Sequence, residues 1–388
     1  MLKLLIENIL DREDTIMTEW KKIQLGNIIK MNENTYSPKE NWKFINYLDT
    51  GNITTGIIDN IKYINLFSDK LPSRAKRKVK MNSIIYSTVR PNQLHYGIIK
   101  EFPDNFLVST GFTVIDVDTE KALPDYIYYI LTQKDVIEHL QAIAEQSVSA
   151  YPSIKPSDLE NLEVFIPDIY TQIKVEAIIS LIDQKIKKNR EINNNLEQQA
   201  HALYCKFLSD KIINGVFKDI VIENKKSKIK VSEAQDINGE YPFFTSGKRI
   251  LEYNSYLVDN RNIYLNTGGN ADVKYYIGKA SYSTDTWCIT TKNNLTNYCY
   301  LFLKNIQNEI DAIYFEGSAL KHLQKKKLLE KKIYIPNIQE TQNLNEILDP
   351  LFEIISKNIF QNRYLSFLRD ALLSKLMSGE FDISEIDI

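Results

Sequence analysis

The densest basic run in the chain comprises Lys70, Arg74, Lys76, Arg77, Lys78 and Lys80, and Ser87-Thr88-Val89-Arg90-Pro91-Asn92-Gln93-Leu94-His95 follows closely. Ammonium and guanidinium groups neutralise phosphates, whereas Arg, Asn and Gln side chains have the bidentate geometry that reads base edges. A basic run alone is most often a solvated face. The neighbouring loop adds base-reading chemistry that a solvated face does not need. Candidate DNA contacts here are Arg74, Lys76, Arg77, Lys78, Lys80, Thr88, Arg90, Asn92, Gln93 and His95.

A second group lies in Phe244-Thr245-Ser246-Gly247-Lys248-Arg249, in Asn266-Thr267-Gly268-Gly269-Asn270-Ala271-Asp272-Val273-Lys274, and in Ser283-Thr284-Asp285-Thr286. Small polar residues around a Gly pair let the backbone approach a ligand closely, although most Gly pairs are turns. The candidates are Ser246, Lys248, Arg249, Thr267, Asn270, Lys274, Thr284 and Asp285. Lys225, Lys226, Lys228 and Lys230 suit phosphate contact and surface solubility equally well.

Catalytic constellations are missing by comparison. His95, His139, His201 and His322 have no metal-ligand spacing among them, and Gly268-Gly269 lacks the spacing of a P-loop. There is no dinucleotide-binding glycine fingerprint and no G-x-S-x-G elbow. Asp219 with Glu223-Asn224-Lys225 loosely matches the acidic-plus-lysine pattern of metal-dependent nucleases. An autonomous nuclease is therefore one alternative, and a coiled-coil scaffold without a DNA role is another.

The elements that must position these residues are announced by a repeat at a constant offset of 169. Val164-Phe165-Ile166-Pro167-Asp168-Ile169 recurs as Ile333-Tyr334-Ile335-Pro336-Asn337-Ile338, each an apolar run stopped by proline before a long helix. The first helix carries Val175, Ile179, Ile182, Ile186, Asn189, Asn193, Leu196, Ala200, Leu203 and Phe207 at alternating steps of four and three. The same offset gives Leu344, Leu348, Leu351, Ile355, Asn358, Asn362, Leu365, Arg369, Leu372 and Leu376. A sustained 3.5-residue spacing is a coiled-coil signature, and paired seam asparagines fix register because a slip would bury unbonded amides. Each seam runs for about 33 residues, roughly 50 Å at 1.5 Å per residue.

Each helix follows a strand-rich module punctuated by turns: Gly51-Asn52, Thr55-Gly56 and Thr110-Gly111 in the first, Asn238-Gly239 and Gly278-Lys279 in the second. The fold class expected is α+β, with two modules of mixed α/β structure and two long helices. Boundaries fall at 1–19 (an N-terminal extension), 20–165 (first module), 166–210 (central helix), 211–332 (second module) and 333–388 (C-terminal helix). Further helices are expected from Pro124 through Ala144, from Tyr298 to Ile313 and from Ala319 to Glu330. Beyond their helix-bearing portions the two modules do not align, which suggests two heads that read different things.

Composition is that of a soluble globular protein, with 43% hydrophobic and 25% charged residues in 388. The formal charge of −2 gives no global attraction to nucleic acid, so a DNA-binding face needs locally segregated charge. The 23 tyrosines suit a contact surface and equally an A+T-rich genome. Cys205, Cys288 and Cys299 form no C-x-x-C pair, which fits a reducing cytoplasm. Leu4-Leu5-Ile6, flanked by Glu7 and Asp11, is too short and charged for a signal peptide, and no segment approaches a membrane span.

From Trp20 onward the chain resembles the specificity subunit of type I restriction–modification enzymes. The carriers are Trp20-Lys21-Lys22-Ile23-Gln24-Leu25-Gly26-Asn27-Ile28, Ser87-Thr88-Val89-Arg90-Pro91 and Ser109-Thr110-Gly111-Phe112. Tyr241-Pro242-Phe243-Phe244-Thr245-Ser246-Gly247, Thr267-Gly268-Gly269-Asn270, Ser283-Thr284-Asp285-Thr286 and the duplicated Ile-Pro units complete them. The resemblance implies two target recognition domains separated by two long conserved helices that form an antiparallel coiled coil. Each domain would read half of a split site in double-stranded DNA, and the helices would set the unread spacer. The implied partners are two adenine-methylating modification subunits and ATP-driven restriction subunits. S-adenosylmethionine, ATP and Mg²⁺ would belong to those partners, with no cofactor on this chain. Residues 1–16 fall outside the resemblance, and Met17 is an alternative start.

Overall fold

The computed structural model describes residues 20–147, 151–234, 239–247, 250–317 and 321–378. The chain divides into two compact units, residues 1–184 with 366–388 and residues 185–365. Residues 1–16 and Met17 lie outside the described residues.

In the first unit, β1 (Lys21–Gln24) pairs antiparallel with β10 (Glu163–Ile166), which ties the start of the module to the strand before the first long helix. One four-stranded sheet has the order β2 (Ile29–Met31), β9 (Phe112–Val117), β6 (Ile84–Ser87), β7 (Tyr96–Ile98), all antiparallel. The other has the order β4 (Lys62–Asn65), β3 (Phe44–Leu48), β8 (Phe106–Ser109), β5 (Ala75–Arg77), with β3 and β8 parallel. Strand alternation sends Ile85, Phe112 and Val114 into one core with Leu48, Phe106 and Val108. The corner Thr110-Gly111 carries the chain from the second sheet back to the first.

The second unit repeats this topology. Strand β11 (Gly215–Val216) pairs with β19 (Lys332–Ile333). An antiparallel sheet follows in the order β12 (Val221–Glu223), β18 (Thr286–Thr291), β15 (Arg261–Asn266), β16 (Val273–Ile277). The companion sheet is β14 (Leu251–Tyr253), β13 (Tyr241–Phe244), β17 (Ser281–Tyr282), with β13 and β17 parallel. This corrects the expectation of unlike heads: among the described residues the two main sheets of one module recur in the other save one edge strand, while the short hairpins Ile53–Thr54 with Ile57–Ile58 and Phe315–Glu316 with His322–Leu323 differ between them. The offset varies along the chain, being 192 for Ile29 to Val221, 179 for Ser87 to Asn266, 174 for Phe112 to Thr286 and 169 for Ile154 to Leu323. Loops of unequal length shift the frame between strands, and an ungapped comparison loses it.

Three helix expectations are also corrected. The segment from Pro124 breaks into Pro124–Leu131 and Lys134–Glu145. There the Thr132 hydroxyl bonds back to the Tyr128 carbonyl at 2.9 Å, and Gln133 is extended. Helix Thr296–Asn305 is interrupted at Ile306 and resumes as a short turn, Gln307–Glu309, that runs into a π turn, Ile310–Tyr314. Helix Lys325–Leu329 replaces the long one expected from Ala319, itself outside the described residues, because His322 and Leu323 are drawn into extended pairing with Gly268 and Thr267.

The long helices α1 (Ile169–Leu208) and α2 (Ile338–Ser378) begin 169 residues apart. The Asp168 carboxylate accepts from the Thr171 N–H at 2.9 Å. Asn337 and Glu340 exchange bonds reciprocally, each 2.9 Å, which satisfies otherwise orphaned donors. In the first unit Ile179, Ile182 and Leu372 are buried, and Arg369 Nη1 donates to Asp183 Oδ1 at 3.0 Å. In the second unit α1 and α2 run antiparallel: Asn189 Nδ2 donates to Asn362 Oδ1 and Asn358 Nδ2 to Asn193 Oδ1, both at 2.8 Å. Ile186, Leu348, Ile355 and Leu365 are buried, with Leu196, Leu203 and Leu351 partly so. The buried face of α2 is broader than a coiled-coil stripe, because Phe352 also roofs the second module against Tyr275 at 4.7 Å. No helix among the described residues is long and apolar enough to cross a membrane.

Candidate nucleic-acid interface

In the first unit the loop after β6 is held from both sides. The N–H and hydroxyl of Thr88 both donate to the Gly111 carbonyl, at 2.9 and 3.0 Å. On the other side Ile154 N–H donates to the Thr88 carbonyl at 2.9 Å, and Arg90 N–H to the Pro152 carbonyl at 3.0 Å. A Cβ at Gly111 would meet Thr50 at 2.8 Å, so the corner is too tight for a side chain. Arg90 sits in the left-handed region, with φ of 49°. Pro91 is buried at the start of a short turn, and the Asn92 N–H reaches Gln141 Oε1 at 3.2 Å.

The second unit contains the same clamp. The N–H and hydroxyl of Thr267 donate to the Asp285 carbonyl at 3.0 and 2.9 Å. Leu323 N–H donates to the Thr267 carbonyl at 3.0 Å and Gly269 N–H to the Lys321 carbonyl at 3.1 Å. Gly269 takes the place of Arg90 and is also left-handed, with φ of 81°. Each clamp is built from backbone bonds and one threonine hydroxyl, so the loop shape does not depend on the exposed side chains it displays. That is the arrangement expected of a surface whose reading residues vary on a fixed scaffold.

The clamp separates the candidate residues into two groups. Arg90, Asn92 and Gln93 are exposed on the first loop, as are Asn270 and the Asp285 side chain on the second. Arg74 joins the first group: its carbonyl accepts from Thr110 N–H at 2.9 Å, and its side chain is exposed at the corner. Lys76 is exposed on β5, and among the described residues neither it nor Arg74 is ion-paired.

The other group is tied into the fold. Lys78 is bound by Glu40 and lies 5.1 Å from the Trp42 ring centre. Lys80 pairs with Glu33 at 2.8 Å and Asp116 at 3.3 Å, and the Glu33 bond raises its pKa. Burial lowers the pKa of Arg77, whose buried Nε has no hydrogen-bond partner. His95 Nδ1 bonds the Ile53 carbonyl at 2.6 Å. Lys274 is held by Asp272 at 2.7 Å, with only 12% of its side chain exposed. Ser246 Oγ donates to the Asp285 carbonyl at 2.6 Å, and Thr284 N–H to the Ile229 carbonyl at 2.9 Å. Lys248 and Arg249 lie outside the described residues.

The Thr284–Ile229 bond reveals residues the sequence left undecided. Ile229 occupies the corner position that Arg74 occupies in the first unit, so exposed Lys228 and Lys230 flank the second clamp. Their equivalence to the Arg74–Lys76 region emerges only once strand pairing is known. Exposed Tyr151, beneath Arg90, likewise carries no signal in the sequence.

The acidic residues of the nuclease alternative are occupied structurally. Glu223 Oε2 accepts from Trp287 Nε1 at 2.7 Å, and Asp219 Oδ2 from the Val216 N–H at 3.0 Å. Among the described residues no group of three His, Cys, Asp or Glu is placed to hold a metal ion.

Comparison with known proteins gives a consistent result. The model of the type I restriction modification DNA specificity domain matches twice, at residues 17–198 and 213–362. The chain is similar to the type I restriction enzyme HindI specificity subunit of Haemophilus influenzae, 32% identical over 197 residues. That match covers 50% of this chain and 42% of the relative. It is also similar to the MjaIX specificity subunit of Methanocaldococcus jannaschii, 22% identical over 435 residues, covering 95% of this chain and 98% of that one. Among solved structures, the S subunit of a type I restriction-modification system from M. genitalium shares the fold, with a TM-score of 0.50 at 17% identity. That alignment covers 94% of this chain and 98% of the other.

Proposed function

Because the chain belongs to the type I restriction–modification DNA specificity family, we propose that it reads a bipartite double-stranded DNA target, one half-site per module. The observation that carries this reading is the clamp built twice, Thr88 on Gly111 and Thr267 on Asp285, with exposed polar side chains and cations beside it. Phosphate contacts by Arg74, Lys76, Lys228 and Lys230 supply affinity and register, and loop residues supply sequence preference. The helix pair sets the unread spacer, and its asparagine layer holds one register.

In this reading the chain is non-catalytic. It assembles with two modification subunits and with restriction subunits in the cytoplasm. S-adenosylmethionine, ATP and Mg²⁺ act on those partners, with no cofactor on this chain and no membrane partner. The test is to map methylated adenines in the host genome with and without this gene. A split motif that disappears with the gene supports the reading. Unchanged methylation, or plasmid cleavage by the purified chain with Mg²⁺ alone, contradicts it.

A further inference from the structure

The clamp places one side chain in an unusual setting. Arg90 is a non-glycine residue with φ of 49° and ψ of 71°, a left-handed conformation that is unfavourable for a residue bearing a β-carbon. Backbone bonds on three sides enforce it: Arg90 N–H to Pro152, Gln93 N–H to the Arg90 carbonyl at 2.9 Å, and Ile154 N–H to Thr88. The second module imposes the same turn and fills it with Gly269. The turn therefore belongs to the fold, and the arginine belongs to the first module alone.

What the strained position displays is a guanidinium with no carboxylate partner among the described residues. It lies 5.3 Å from the ring centre of Tyr151, which is itself 59% exposed. An arginine stacked on an aromatic face loses rotamer freedom while keeping its N–H edge available. That edge matches the O6 and N7 acceptors of guanine in the major groove, where two parallel bonds discriminate against other bases.

We propose that Tyr151 is a positioning residue that holds Arg90 for bidentate contact with one guanine in the first module's half-site. The second module, with Gly269 at the same turn, reads no base through this position. The inference rests on the reading that each module recognises one half-site.

The full chain, co-expressed with its modification subunits, is bound to a randomised double-stranded DNA library, and bound sequences are counted. Tyr151→Ala and Arg90→Lys each lower the preference for a single guanine in one half-site about tenfold, because a lysine lacks the planar fork. Tyr151→Phe restores the preference, since the ring face is what the contact uses. The other half-site and the spacer stay unchanged. Uniform weakening across all sequences would mean that Arg90 holds a phosphate, and an unchanged guanine preference would mean that Tyr151 positions nothing; either overturns the proposal. If the parent complex selects no split sequence at all, the half-site reading fails, a result distinct from both.

Discussion

Asn358 Nδ2 donates to Asn193 Oδ1 at 2.8 Å, joining the two long helices through an amide pair, and Asn193 Nδ2 reaches on to the Ile355 carbonyl at 3.2 Å. With Asn189 bonded to Asn362, the layer sits between buried Ile186 and Ile355. A shift of one turn would set amides against aliphatic side chains, where an unbonded polar group costs about 1–3 kcal/mol.

Asn193→Leu should therefore lower stability by about 1–2 kcal/mol, since it strands the Asn358 amide. Asn193→Leu with Asn358→Leu should recover most of that loss, because the Asn358 amide that the single variant strands is then gone. Denaturant unfolding of the two variants checks this, and a double variant less stable than the single one would argue against register locking.

The clamp gives a paired prediction. Thr88→Val and Thr267→Val each remove one hydroxyl bond to a corner carbonyl, worth about 1 kcal/mol. Each should weaken recognition of one half-site and spare the other. Binding to DNA carrying one half-site scrambled at a time separates them, and a variant that harmed both would refute independent readers.

Lys228 and Lys230 should matter for affinity without sequence preference. Replacing both with alanine should reduce the slope of log K against log[salt] by about 0.9 for each phosphate that is no longer neutralised. An unchanged slope would return these lysines to the solvated surface.

The start of α2 should titrate. Glu340 is held at a pKa of about 2 by the Tyr334 hydroxyl, the Asn337 N–H and Lys211. A depressed carboxylate stabilises the fold above its unfolded value, and the contribution disappears as pH falls toward the folded value. The gap in melting temperature between the parent chain and Glu340→Gln should be full at pH 7. It should narrow as pH drops below about 4.5, the ordinary carboxylate value. A gap independent of pH would contradict this account of the cap.

What the sequence made legible was local. Helix periodicity, the Ile-Pro run ahead of each long helix and the seam asparagines all lie within a few residues of one another or at one fixed offset. The shared topology was hidden because strands pair across long separations, as Ile29 with Val117, and loop lengths move the frame. The basic run misled for the same reason: Glu40 and Glu33 neutralise Lys78 and Lys80 from 38 and 47 residues away. Exposed Arg90 was legible and its Tyr151 partner was not, because loop residues announce themselves by type and packing partners do not.

Removal of one heptad from matching positions of both long helices tests the central claim most directly. Seven residues shorten a helix by about 10 Å, which corresponds to about three base pairs of duplex. The altered chain, assembled with the modification subunits proposed as its partners, should select the same two half-sites with a spacer about three base pairs shorter. An unchanged spacer with both half-sites still bound would show that the helices do not set the distance.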